Sequence, residues 1–319
     1  MQIQPLINTP RCSNVPLQKV YGTAKYVITM MLIVAVFIST KIDLPFRRRF
    51  AMVTLFSENH ICEAIHSCMT FSTFPKIVSG EIQVFAFYSS DVTPKSLKAY
   101  KKACPSVHLH QMDFTGVPEY IKDLSNYRFK YLMVNKILPS FDAVLYIDAS
   151  IILKPSKKGD DLANIINSVF TDFKHTGFRT FHRSFHSNYP VTHENMYNFF
   201  NITQKEMKKT KQIQSGTYVV ANSPQGNEVF KGLIDCAIEP GCMAPPGATA
   251  KCNMQHIQRN DAITCHRFDQ SAMNMRLIEL YGTNPSNYYL PSDMIAISRA
   301  EMVVNKKAYR RVCDRYFES

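Results

Sequence analysis

The sequence predicts an α/β protein with a mainly parallel sheet, and three observations carry that reading. From about residue 50 onward, short apolar runs alternate with longer amphipathic ones, the pattern of strands joined by right-handed helical crossovers. Segment 138–153 holds a continuous apolar run between turn residues, as a strand buried on both faces does. That run contains a carboxylate, Asp148, and open α/β sheets bind ligands where such strands stop.

The elements follow in order. Residues 51–56 read as a first strand, and Ser57-Glu58-Asn59-His60 supplies N-cap chemistry for a helix to about Thr70. A second strand covers 82–88, and Thr93-Pro94 opens a helix through Ala103 with proline in its first turn. A shorter third strand is expected over 107–112, a mostly helical stretch over 118–138, and the fourth strand over 143–148. Helices are expected over 160–170, 228–238 and 268–281, with a strand over 215–221 and a turn-rich loop over 239–250.

The chain has 319 residues, 45% hydrophobic and 19% charged, enough to bury a full core. No repeat or second boundary is visible, so residues 50–319 are read as one domain. Ahead of it lie a polar tail (1–25), an apolar segment (26–42) and a basic stem (43–49). The uncharged run 26–40 would span roughly 22 Å as a helix, short against a hydrocarbon core of about 30 Å. A membrane-spanning signal-anchor is expected there. A cleaved signal peptide and a buried element of the soluble domain are the alternatives.

Flanking charges do not orient this segment, since Lys and Arg occur on both sides. Eight of the nine cysteines follow it, which suits an oxidising compartment. The sequon Asn201-Ile202-Thr203 also follows it and offers a glycosylation site at Asn201. A type II, single-pass protein of the Golgi membrane with a lumenal C-terminal domain is therefore expected. The net charge of +12 is scattered rather than striped among aromatics, which argues against a nucleic-acid partner and for capture of an anionic ligand.

Four segments could meet at one sheet edge. In Tyr127-Arg128-Phe129-Lys130, either Arg128 or Lys130 could pair with a diphosphate; solvated helix cations are the plain alternative. Asp148-Ala149-Ser150 ends the fourth strand. Asp148 could bind Mn²⁺ or Mg²⁺ together with substrate phosphates, or simply cap the next turn. Ser150 offers a neutral oxygen where a second carboxylate would strengthen metal binding. Gln214-Ser215-Gly216 could hydrogen-bond sugar hydroxyls and let a sugar or backbone approach closely. In the segment from His266 to Asn274, Asp269 could be a helix N-cap, or a carboxylate facing a sugar. Asp269 is the first candidate general base and His266 the second. Cys242, Cys252 and Cys265-His266 could be imagined as zinc ligands, but no Cys-x-x-Cys pair exists, and disulfides pinning this loop are the stronger expectation.

The order of these motifs resembles the GT-A nucleotide-sugar transferases, particularly the glycogenin-like group. Leu138-Pro139, Tyr146-Ile147-Asp148, Ser215-Gly216 and Asp269-Gln270 with Asn274 appear in that group's order. The chain is similar still more closely to a family of animal, often nematode, glycosyltransferases. That family has Ser-x-Asn-His after the first strand, Tyr-x-aromatic-Lys before the fourth, and Asp-x-Ser at its end, as Ser57–His60, Tyr127–Lys130 and Asp148–Ser150 do here. The resemblance covers roughly residues 50 to 300. It implies a single GT-A domain, a UDP-sugar donor, a glycan or glycoprotein acceptor, and Golgi residence. It also implies that Asp148 contacts the nucleotide or its metal and that Gln214, Asp269 and Gln270 line the donor-sugar or acceptor site. Two other functions compete with an active hexosyltransferase: a catalytically silent relative that binds glycans or a partner, and a basic, membrane-tethered interaction protein.

Overall fold

The computed structural model describes residues 48–298 and 306–317. The expected anchor over 26–42 lies outside them, and among the described residues no helix is long and apolar enough to cross a membrane.

Chain order runs β1 (Phe50–Phe56), α1 (Ile61–Met69), α2 (Pro75–Val78), β2 (Ile82–Tyr88), α3 (Pro94–Ala103), β3 (His108–Gln111), α4 (Phe129–Ile137) and β4 (Ala143–Asp148). It continues with β5 (Ile151–Leu153), α5 (Leu162–Asn167), β6 (Phe178–Thr180), β7 (Arg183–Ser187), α6 (Gln204–Lys209), β8 (Lys211–Ile213) and β9 (Thr217–Ala221). The last elements are α7 (Pro224–Ile238), α8 (Met254–Arg259), α9 (Phe268–Tyr281), β10 (Ile295–Ile297) and α10 (Lys306–Asp314).

Six strands form the main sheet in the order β3-β2-β1-β4-β9-β6. The first four are mutually parallel, while β9 runs antiparallel to both β4 and β6. The expected α/β class with a mainly parallel, mixed sheet is therefore what the chain forms. From β1 the connection runs outward through β2 to β3, then returns to β4 on the other side of β1. The strand order thus reverses between β1 and β4, and the carboxyl ends of these two strands flank the crevice that such a switch opens.

Every residue of β1 is buried, and successive side chains go to opposite sides. Ala51, Val53 and Leu55 pack with Tyr131 of α4, Phe230 of α7 and Met273 of α9. Met52 and Phe56 pack with Ile65 of α1, Tyr100 of α3 and Ile166 of α5. Helices thus cover both faces, which is why the central strands read as unbroken apolar runs.

Capping chemistry fixes several helix starts. Thr93 accepts the Ser96 N–H at 3.2 Å and Asp161 accepts the Ala163 N–H at 2.8 Å. Thr203 and Glu206 make a reciprocal capping box at α6. Thr203 of the sequon accordingly has a structural task of its own.

Segment 118–138 is mostly helical, as expected, but in pieces: 3-10 helices at Glu119–Ile121 and Leu124–Asn126 precede α4. Asp123 accepts the Ser125 N–H at 3.0 Å, and Tyr127 takes a left-handed φ of 55°, so a continuous helix is broken there. Asp269 is not an N-cap. Arg267 occupies that position without a side-chain bond, and the Asp269 carboxylate points elsewhere.

All eight cysteines after the apolar run pair, as Cys62–Cys313, Cys68–Cys104, Cys236–Cys242 and Cys252–Cys265. The last two pin the segment around 239–265, and the zinc alternative fails because its thiolates are consumed.

Candidate functional site

Two adjoining clefts open at the carboxyl ends of the central strands. The larger, of about 430 Å³, is lined by Ser57, Asn59 and His60 after β1, by Tyr127 and Lys130, and by Asp148 and Ser150. The smaller, of about 160 Å³, is lined by Gln214, Ser215, Gly216, His266, Asp269 and Gln270, and shares Tyr127, Lys130, Asp148 and Ser150 with the first. Nearly all the site residues expected from sequence converge here, although 130, 148, 215 and 269 are far apart in the chain.

Lys130 stands at the junction. Its Nζ lies 2.9 Å from Asp148 Oδ1 and 2.9 Å from Asp269 Oδ2, with the residue only 5% exposed. Burial by itself would lower the pKa of this ammonium, but the two carboxylates more than offset that and raise it, so Lys130 stays charged. Asp148 is the last residue of β4, and its Oδ1 also accepts the Tyr146 hydroxyl at 2.5 Å. Asp269 is buried and its Oδ2 accepts the Ser215 hydroxyl at 2.7 Å. Desolvation pushes the Asp269 carboxyl upward, opposed by Lys130 and reinforced by Asp148. Tyr131 donates its hydroxyl to the Asp269 main-chain carbonyl at 2.9 Å.

Gly216 has a steric role. An added Cβ would sit 2.9 Å from Asp148 Oδ2, so only glycine lets β9 pass this close to the carboxylate. The Asp148 N–H donates to the Gly216 carbonyl at 2.8 Å, fixing the two together. Gln270 donates from Nε2 to Gln212 Oε1 at 2.6 Å. Asn274 bonds the Ile213 main chain through both amide atoms, at 2.8 and 2.7 Å, which locks α9 against β8. Tyr127 and Phe268 both have left-handed φ values, 55° and 36°, and their rings meet with centroids 6.0 Å apart at the smaller cleft. Such conformations cost on the order of 1–3 kcal/mol each and persist where packing imposes them, commonly at functional sites.

Arg128 and His266 are placed differently from expectation. Arg128 is 2% exposed and donates to the carbonyls of Ala237, Glu239, Pro240 and Ala244. It closes the C-terminal end of α7 and the following loop, and it lines neither cleft. His266 reaches the wall of the smaller cleft, but both ring nitrogens are engaged: Nδ1 accepts the His193 N–H at 3.2 Å and Nε2 donates to the Met243 carbonyl at 2.9 Å. Burial lowers its pKa to about 4, so the ring is neutral.

The bridging role of Lys130 is what sequence reasoning missed. The only signal was a lysine on the helix before β4, and nothing in one dimension places its amine between residues 148 and 269.

The donor set is a poor fit for a divalent cation. Mn²⁺ and Mg²⁺ need several oxygen ligands at about 2.0–2.2 Å in near-octahedral array. Asp148 Oδ1 is already held by an ammonium and a phenol, and Ser150 supplies no charge. Among the described residues no group of three His, Cys, Asp or Glu side chains could hold a metal.

No protein-family profile matches this sequence, and no curated protein matches it significantly. Solved structures similar to it include galactosyltransferase LgtC in complex with donor and acceptor sugar analogs, at 11% identity and TM-score 0.41, covering 77% of this chain and 85% of that one. Core-mannan synthase A from Aspergillus fumigatus, in a Mn/GDP form, is similar at 8% identity and TM-score 0.43, covering 77% and 73%. Mouse xyloside xylosyltransferase 1, apo form, is similar at 10% identity and TM-score 0.42, covering 84% and 93%.

Proposed function

We propose that this protein is a glycosyltransferase of the GT-A type that moves a hexose-type sugar from a UDP-sugar to a glycan or glycoprotein acceptor. The observation that carries this reading is the paired cleft at the β1/β4 switch point, divided by the chain Asp148–Lys130–Asp269. A nucleotide fits the larger cleft, because doubly wound sheets bind such ligands at a strand-order reversal. The transferred sugar and the acceptor then fall in the smaller one, among Gln214, Ser215, Asp269 and Gln270. The motif resemblance, in the same residues and order, supports the same division.

Departure of a nucleoside diphosphate needs charge stabilisation more than covalent help. Asp148 orients the nucleotide end and Asp269 faces the sugar. With its carboxyl in the smaller cleft and its pKa raised by burial, Asp269 takes any general-base role. His266 would have to break a buried hydrogen bond to do so.

We place the protein in the secretory pathway, as a type II Golgi membrane protein anchored through residues 26–42. Four disulfides in the described residues support an oxidising compartment. Asn201 is exposed, as an N-glycan acceptor must be. The test is calorimetric titration of the purified chain with UDP, followed by a screen of UDP-sugars for turnover. Binding lost in Asp148→Ala supports the assignment. Binding without turnover would favour the silent relative, and no UDP binding under any condition would reject the reading.

A further inference from the structure

Resting on that reading, we infer that Lys130 takes the position and the charge of the divalent cation, so that this site binds the diphosphate of its donor without a metal ion. The geometry is that of a cation site with the cation built in. One ammonium lies 2.9 Å from each of two carboxylates, one at the end of β4 and one in the first turn of α9. It is 5% exposed, yet it lines both clefts.

Three features exclude a second cation from the same place. Asp148 Oδ1, the oxygen at the junction, accepts from both Lys130 and Tyr146, which uses the lone pairs a metal would need. On the other side, Asp269 Oδ2 accepts from both Lys130 and Ser215. A divalent ion entering this cage would face the Lys130 charge at short range in a partly dehydrated setting, where like charges repel strongly.

The ammonium is also suited to the task it would inherit. It has three donors. Two go to the carboxylates, and the third is available to a ligand oxygen arriving from either cleft. The Tyr127 and Tyr146 rings lie 5.0 and 5.6 Å from Nζ and hold the amine over the junction by cation–π attraction. A serine at position 150 is then the expected partner. A second carboxylate would leave the site over-charged once a lysine supplies the only cation, whereas a hydroxyl keeps an oxygen in the wall without adding negative charge.

The experiment has two independent readouts on the full-length, detergent-solubilised chain. First, UDP is titrated in EDTA and then in excess Mn²⁺. The expected dissociation constants agree within about twofold, and a loss of tenfold or more in EDTA would overturn the inference while leaving the function intact. If UDP binds in neither condition, the functional reading fails, and the second readout still decides this one. It follows Mn²⁺ alone by electron paramagnetic resonance. Wild-type protein is expected to leave the free-ion signal unchanged. Lys130→Met, which frees the two carboxylates, is expected to capture one ion per chain and to lose that ion again when combined with Asp148→Asn. Stoichiometric Mn²⁺ uptake by the wild type that disappears in Asp148→Asn would sink the idea, whether or not the Lys130 variant folds.

Discussion

The larger cleft and the smaller one share a wall but are built from different kinds of chain. The larger draws on segments that directly follow or precede parallel strands, such as Ser57–His60 after β1 and Tyr127–Ser150 around α4 and β4. The smaller draws on Gln214–Gly216 and His266–Gln270, which reach the site through antiparallel strands and a disulfide-pinned loop. One is a property of the sheet's strand order, while the other depends on long-range contacts that hold α9 beside β8. Lys130 pairs with Asp148, which both clefts share, and with Asp269, which lines the smaller one.

Removing that link should have the largest effect. Lys130→Met strands two carboxylates in a buried position, and loss of one partner from a buried ion pair costs about 3–5 kcal/mol. Denaturant unfolding should show that loss, and a change below 1 kcal/mol would mean that the bridge carries little of the structure. The two acids should then separate by function. Asp148→Ala is expected to weaken UDP binding and cut turnover by about a hundredfold or more, whereas Asp269→Ala should cut turnover similarly with UDP affinity unchanged. Equal effects of both variants on UDP affinity would erase the distinction between the clefts.

Acid should loosen the smaller cleft first. The His266 pKa is depressed from 6.5 to about 4 in the folded protein. Its contribution to stability is therefore fully present above pH 6.5 and lost as pH falls through 4. The loss should reach about 2 kcal/mol by pH 5. Stability measured at pH 7 and pH 5 should show this difference in the wild type and not in His266→Gln. Gly216→Ala should have the smallest effect, about 1 kcal/mol, the low end of the cost of overpacking. Because the new methyl meets Asp148, reduced UDP affinity should accompany it. Unchanged affinity would mean that the carboxylate can move aside.

Legibility followed the same division. Strands β1, β2 and β4 and helices α3 and α9 match their expected spans almost residue for residue, because each carries an unbroken apolar run, a proline-started cap or a strong helical period. Strands β5, β6, β8 and β10 have three residues each, too few for a period of two to register. Arg128 and Lys130 show why composition could not assign the site. They lie two residues apart and looked equivalent as phosphate ligands, yet one turns into a cage of carbonyls beyond α7 and the other into the cleft.

By itself the sequence determined the α/β class, the carboxylate ending β4, the glycine that permits close approach before β9 and most of the residues that converge, since strand burial and turn chemistry are local. The partners of those residues were decided only by the tertiary structure. Whether Asp269 caps a helix or meets Lys130, and whether His266 is a free base or a neutral strut, depends on which groups from other elements share its dehydrated surroundings, and there each buried charge or polar atom must find a partner or pay the full cost of leaving water.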